Sequence, residues 1–186
     1  SVDEPGLITR GYHRLVHSAT EREITGLMDA INDTCDLEQW SAPTGLPVAK
    51  QVEEFSEALG ERESEEVVFG IYSKGGAKFQ IARMKAPPPA DNALDNSDYS
   101  RLHSLLIRPV VSEKREEEIV SPHYDTDVIA HQIDNGVAHL AIIMRPVPLH
   151  EFIAIVTRGW RLPAKATNFY PKPPAGAVIQ QLEGRL

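Results

Sequence analysis

The feature that most constrains this chain is a change of hydrophobic period partway along it. Up to Gly60 the apolar residues recur at helical spacing, and beyond Glu65 they fall into short β-prone runs. Ile24, Leu27, Met28 and Ile31 stand at i, i+3, i+4 and i+7, a single stripe on a helix, and Thr20-Glu21-Arg22-Glu23 just before them has the spacing of a capping box. A second stripe of Val48, Val52, Phe55 and Leu59 follows Pro47, whose missing N–H costs nothing in a first helical turn, and Gly60 is placed to cap its end. Two packing helices are therefore predicted. Ahead of them His13 and His17 fall on a strand or its exit, with no more than a structural part to play.

After Glu65, residues 67–72 and 79–84 form two β-prone runs joined by Lys74-Gly75-Gly76, a hairpin with a turn that tolerates positive φ. Pro87 through Ser97 reads as a loop, because three prolines remove donors and Asp91, Asn92, Asp95 and Asn96 favour turns. An apolar run spans Leu102 to Val111, and the Glu113–Glu118 stretch (EKREEE) reads as a solvated connection. The remaining apolar runs, 128–133, 137–144, 152–156 and 177–182, are predicted as strands. Helices first and short antiparallel strands afterwards predict an α+β protein whose sheets form a sandwich or jelly roll. With 186 residues, 41% of them hydrophobic, the chain is long enough to bury one core, and 1–186 is expected to be a single domain.

Charge and cysteine usage remove several function classes. The formal net charge of -8 repels polyanions, so nucleic acid is not an expected partner. No apolar run approaches the roughly 20 residues a bilayer crossing needs, and Ser1 to Arg10 lacks a signal pattern, so no membrane association is expected and the cytoplasm is the expected compartment. The lone Cys35 excludes an internal disulfide and a cysteine-built zinc site, and the neighbouring Asp33, Asp36 and Glu38 should raise its pKa rather than activate it. The oligomeric state is not readable from the sequence.

The richest stretch for chemistry is Ser121-Pro122-His123-Tyr124-Asp125. On a strand, His123 and Asp125 at i and i+2 share one face, where an imidazole and a carboxylate can occupy adjacent positions on one metal. His131 and His139 flank Asp134-Asn135-Gly136. A three-residue turn there sets the two imidazoles opposite each other, whereas a two-residue turn puts them on opposite sides of the sheet. The two-residue register is preferred, because it collects Ile129, Ile133, Leu140, Ile142 and Met144 on one apolar face.

The Pro122-His123-Tyr124-Asp125 motif, preceded by the 102–111 run and the EKREEE segment and followed by the apolar Ala138–Met144, resembles the 2-oxoglutarate- and iron(II)-dependent dioxygenases, in their prolyl-hydroxylase-like branch. Pro173-Pro174-Ala175-Gly176 is similar to the turn that leads into that family's later strands. The resemblance implies a double-stranded β-helix (jelly roll) with N-terminal supporting helices, Fe(II) held by His123 and Asp125, 2-oxoglutarate as cosubstrate, and hydroxylation of a peptide or protein side chain. The family's distal histidine has no counterpart after His150, and the basic residue that grips 2-oxoglutarate is not assigned; the two lie beyond Leu186, with the last strands, or are absent. The alternative expectation is a non-catalytic acidic binding module of similar β architecture that acts through a protein interface.

Overall fold

A computed structural model describes residues 8–62, 66–74, 78–89 and 92–170. Two short strands, β1 (Ile8–Gly11) and β2 (His13–His17), lead into α1 (Glu21–Thr34), β3 (Cys35–Gln39) and α2 (Val48–Gly60). The β4 (Val68–Ser73) and β5 (Phe79–Met84) pair is followed by the short helices α3 (Ala93–Asn96) and α4 (Asp98–Arg101), the latter continuing as a π-helical segment over Leu102–Ile107. Then come α5 (Glu113–Ile119), β6 (Val120–His123), α6 (Thr126–Asp134), β7 (Ala138–Ile143), α7 (Leu149–Val156) and β8 (Thr167–Tyr170).

The capping box forms as its spacing predicts, with Glu23 N donating to Thr20 Oγ1 and Thr20 N donating to Glu23 Oε2 at 2.7 Å. Leu27 and Ile31 on α1, and Val52, Phe55 and Leu59 on α2, are buried. The 67–84 hairpin is also present, with Phe69 opposite Ala82 and Ile71 opposite Gln80.

Six strands make one sheet in the order β3-β5-β4-β7-β2-β6, every neighbouring pair antiparallel, while β1 pairs only with β8. Among the described residues this sheet is open, with β3 and β6 at its edges, and so corrects the expected jelly roll: the described strands do not close on a second sheet. Helices cover both of its faces. One core gathers Leu15, Phe55, Tyr72, Ile81, Ile129 and Ile143 under α2 and α6. The other gathers Val16, Ile31, Phe69, Tyr99, Leu106 and Ile142 under α1, α4 with its π continuation, and α5. Neighbouring residues of β2, β4 and β7 thus go to opposite cores, as alternation along a strand requires.

Several sequence expectations are corrected. The 128–133 run is helical, because Ile129 and Ile133 at i and i+4 satisfy the helical period as well as the strand period, and Asp125 supplies the cap that decides it. The 152–156 run is helical too, in α7, which starts after Pro148 with no side-chain cap. The 102–111 run begins inside a helix in which Tyr99, Leu102 and Leu106 share the buried side. The EKREEE segment is a helix capped by Ser112 rather than a solvated connection: Glu116 and Ile119 are buried, and Arg115 bridges to α1 through Glu23 at 2.8 Å. That guanidinium and the Thr20 cap hold the Glu23 carboxyl down at about 2. The predicted 177–182 strand lies outside the described residues, as do Gly75 and Gly76 of the hairpin turn.

Gly70 fixes how closely α2 approaches the sheet. A Cβ at this position would lie 2.3 Å from Phe55 Cε1 and 3.0 Å from Leu59 Cδ1, both inside the core beneath α2. Gly70→Ala should therefore cost about 1–3 kcal/mol through overpacking, read as a lower urea midpoint with unchanged slope. Gly60→Ala, whose Cβ would meet nothing nearer than Pro146 Cδ at 3.9 Å, should be neutral or mildly stabilising.

Candidate functional site

The start of β2 buries two polar residues on opposite faces of the sheet. His13 and Arg14 are 4% and 3% exposed, and alternation sends His13 toward α2 and α6 and Arg14 toward α4. Each finds partners on its own side. His13 Nδ1 accepts from Met144 N at 3.1 Å, so the ring is neutral with its proton on Nε2; burial, and then the Arg14 charge, lower its pKa to about 4. Arg14 donates from Nη1 to Tyr12 O at 3.1 Å and Lys165 O at 3.0 Å, and from Nε to His103 Nε2 at 3.1 Å, with its guanidinium carbon 4.9 Å from the centre of the Tyr99 ring. Since His103 accepts at Nε2, it carries its proton on Nδ1 and donates it to Glu116. Burial lowers the His103 pKa, with Glu116 opposing.

The main-chain break between β1 and β2 is sealed by one phenol. Tyr99 Oη accepts from Tyr12 N at 2.8 Å and donates to Tyr12 O at 3.0 Å, taking up both polar groups of a residue that belongs to neither strand. Gly11 lets the chain pass there, because a Cβ would lie 2.3 Å from Met144 O.

On the His13 side the β1–β2 junction and the N-terminal ends of α2 and α6 enclose a cavity of about 590 Å³. Arg10, His13, Lys50, Glu53, Glu57, Asp125 and Asp127 supply its charged and imidazole walls. The two helix ends differ. Asp125 caps α6, its Oδ1 accepting from Asp127 N at 3.0 Å and Val128 N at 3.2 Å. Pro47 precedes α2 and offers no side-chain cap, so the amides of Val48, Ala49 and Lys50 come before the first bond back, Gln51 N to Pro47 O at 3.0 Å. Lys50 is held protonated by Glu53, 2.5 Å away.

The structure separates the roles of the two residues read as a metal pair. β6 ends at His123, which stands opposite His13 in the β2–β6 register, its Nε2 3.1 Å from Ser121 Oγ. Asp125 lies past the strand as a helix cap, so the two are not successive outward positions of one strand. Burial lowers the His123 pKa, the His17 charge adds to this, and Asp125 opposes it. Among the described residues no group of three or more histidine, cysteine or acidic side chains could hold a metal ion. His131 lies on α6, bonded to Asn135, and His139 is exposed on β7. Cys35 is buried, and burial, ahead of Asp36, raises its pKa; desolvation rather than the surrounding acids is the main cause. The sequence reading passes over Arg14 and gives His13 only a structural place, although a His-Arg pair beside Leu15 and Val16 in a β-prone run is the available signal.

No family model matches this chain, and no curated protein matches it. Solved structures do. A conserved hypothetical protein from Pyrococcus furiosus superposes with a TM-score of 0.52 at 12% identity, over 91% of this chain and 58% of that one. A free serine kinase, a glutamate-to-alanine mutant in complex with AMP, gives 0.50 at 11% identity, over 91% and 56%. The chain thus spans somewhat more than half the length of these neighbours, and the likeness establishes a shared fold. It overturns the dioxygenase resemblance and the oxidoreductase and hydroxylase function drawn from it. Fe(II) and 2-oxoglutarate fall with it, since the neighbour's complex holds AMP and the described residues form no metal cluster. Among the described residues no helix is long and apolar enough to cross a membrane.

His13 gives the site a pH signature. The unfolded imidazole takes a proton near pH 6.5 whereas the folded one resists until about 4, so the unfolded state binds more protons in between and stability falls as pH drops through that window. The loss from this residue should reach about 3 kcal/mol. His13→Asn, whose amide oxygen can still accept from Met144 N, should flatten the stability–pH curve between those limits; denaturation curves with the same slope in both proteins would contradict the burial of a neutral ring.

Proposed function

We propose that this chain is the nucleotide-binding part of a kinase-like enzyme, with the nucleotide's phosphates in the cavity between α2, α6 and the β1–β2 junction. The observation that carries this reading is the uncapped first turn of α2, which opens into a cavity that Arg10 and Lys50 also line. Free amides at a helix N-terminus carry a partial positive charge and suit phosphate, and two cationic side chains add to it. The α6 end differs in sign, with the carboxylates Asp125 and Asp127; Glu53 and Glu57 line the cavity from α2, Glu53 paired with Lys50. Such groups can orient a hydroxyl and take its proton as a phosphoryl group is transferred to it. One cavity therefore offers an anion-binding side and a base-bearing side.

That the anion is a nucleotide phosphate is supported by the fold shared with the free serine kinase in its AMP complex. A divalent cation would enter with the phosphate oxygens and take one or two of the wall carboxylates, the usual arrangement for magnesium.

Calorimetric titration with AMP, ADP and adenosine, in the presence of magnesium, tests the proposal. AMP and ADP should bind and adenosine should bind at least about tenfold more weakly, a difference of about 1.4 kcal/mol for the phosphate. Lys50→Glu, a change on the surface of α2 that leaves the core untouched, should weaken AMP at least as much. Equal affinity for adenosine and AMP, an unchanged Kd in Lys50→Glu, or no heat with any nucleotide at about 5 mM would each overturn it.

A further inference from the structure

On the other face of the sheet the buried charges do not balance. Three guanidinium groups, Arg14, Arg101 and Arg145, are at most 5% exposed, against two buried carboxylates, Asp98 and Glu116. Arg145 grips Asp98 through Nε at 2.5 Å and Nη2 at 3.2 Å. Arg14 reaches Glu116 through His103. Arg101 is left over: its Nη2 donates to Asn96 Oδ1 at 3.1 Å, its Nε has no hydrogen-bond partner, and it enters no ion pair among the described residues. A guanidinium cannot shed its proton, so burying it without a counter-charge is costly unless an anion repays the cost.

Arg101 lines a cavity of about 530 Å³ together with Ser100, Ser104 and Arg108. Ser97 Oγ gives its one hydrogen to Leu94 O at 2.8 Å, so the 3.1 Å contact between Ser97 Oγ and Ser100 Oγ uses the Ser100 hydrogen, and Ser104 Oγ donates to Ser100 O at 2.7 Å; the hydroxyls are spent and the guanidinium groups are the donors left. Arg108 is half-exposed and carries a second positive charge, which it shares with Glu113 and Glu116. Asp95, the other acid on this wall beside Glu116, already accepts from Asn92 Nδ2 at 2.7 Å. His103 is spent between Arg14 and Glu116 and has no ring nitrogen to offer. The helix that presents these residues passes from α4 into a π turn, with Arg108 N bonded to His103 O at 3.0 Å, a distortion that concentrates at functional sites.

We propose that this cavity binds the phosphate group of a small molecule, with Arg101 as the buried counter-charge and Arg108 as the second guanidinium. A phosphate monoester offers three terminal oxygens and up to two charges, which suits two guanidinium groups lining one cavity better than a planar carboxylate does. The site lies across the sheet from the α2–α6 cavity and does not depend on the nucleotide reading.

Thermal unfolding in inorganic phosphate, acetate and chloride at equal ionic strength tests it. Phosphate should raise the Tm of the wild-type chain above its value in chloride and acetate, and the rise should persist in Lys50→Glu, which separates this site from the nucleotide cavity. Arg101→Met combined with Lys50→Glu should lose the rise, and Arg101→Met alone should in chloride be at least as stable as wild type, because it removes an unbalanced buried charge. If Arg101→Met does not fold, Arg101→Lys, which keeps the charge but not the fork, should bind phosphate about tenfold more weakly by 31P line broadening. A rise that survives when Arg101→Met is combined with Lys50→Glu, an equal response to acetate, no response to phosphate, or unchanged binding in Arg101→Lys would overturn the proposal.

Discussion

Two adjacent polar residues inside one strand, His13 and Arg14, impose the arrangement of the rest of the fold. Neighbours on a strand point to opposite faces, so a buried His-Arg pair requires polar partners in both cores at the same level of the sheet. On one side the requirement is met cheaply, because a neutral imidazole needs only the Met144 amide. On the other it is demanding, because a permanent cation must be satisfied: Tyr12 and Lys165 supply carbonyls, Tyr99 a ring face, and the His103–Glu116 pair a route to negative charge. Lys165 gives its carbonyl from a left-handed backbone, φ 57, a conformation that costs energy in a residue with a side chain. The helices α4 and α5 are held in register by this chain of contacts as much as by their apolar stripes.

The two faces consequently carry different chemistry. Beneath α2 and α6 the polar groups lie at the mouth of an open cavity, where an uncapped helix end and two cations share the walls with four carboxylates. Beneath α4 they are buried and almost fully committed, and the exception is Arg101. Asp98 and Arg145 show how that core treats a charge it must keep: burial pushes the Asp98 carboxyl up, the guanidinium pulls it back, and two hydrogen bonds fix the geometry. Arg101 has the same burial without the carboxylate.

The parts of the fold that sequence made legible are those whose signal is local. Thr20 and Glu23 announce α1, the Val52-Phe55-Leu59 stripe announces α2, and the β-prone runs around Gly75 and Gly76 announce β4 and β5, because each of these is decided within a few residues. The 128–133 run was misread because Ile129 and Ile133 fit both periods, and the arbitration came from Asp125 capping the amides of Asp127 and Val128, a residue the metal reading had claimed for another purpose. The same mistake carried the fold class, since strands in place of α6 and α7 turn an open sheet with helices on both faces into a jelly roll. At the candidate sites, what sequence could not show is pairing at long range: Arg14 meets His103 across 89 residues and His13 meets Met144 across 131. Neither contact leaves a spacing to read.

Hydrogen exchange with and without AMP tests most directly the claim that this fold carries its nucleotide on the α2–α6 side of β2. Slowed exchange at the amides of Val48, Ala49 and Lys50 and around Tyr124 to Val128, with the α4 segment from Asp98 to Ile107 unchanged, is the expected result. Protection confined to the α4 segment, or none on either face at saturating AMP, would contradict it.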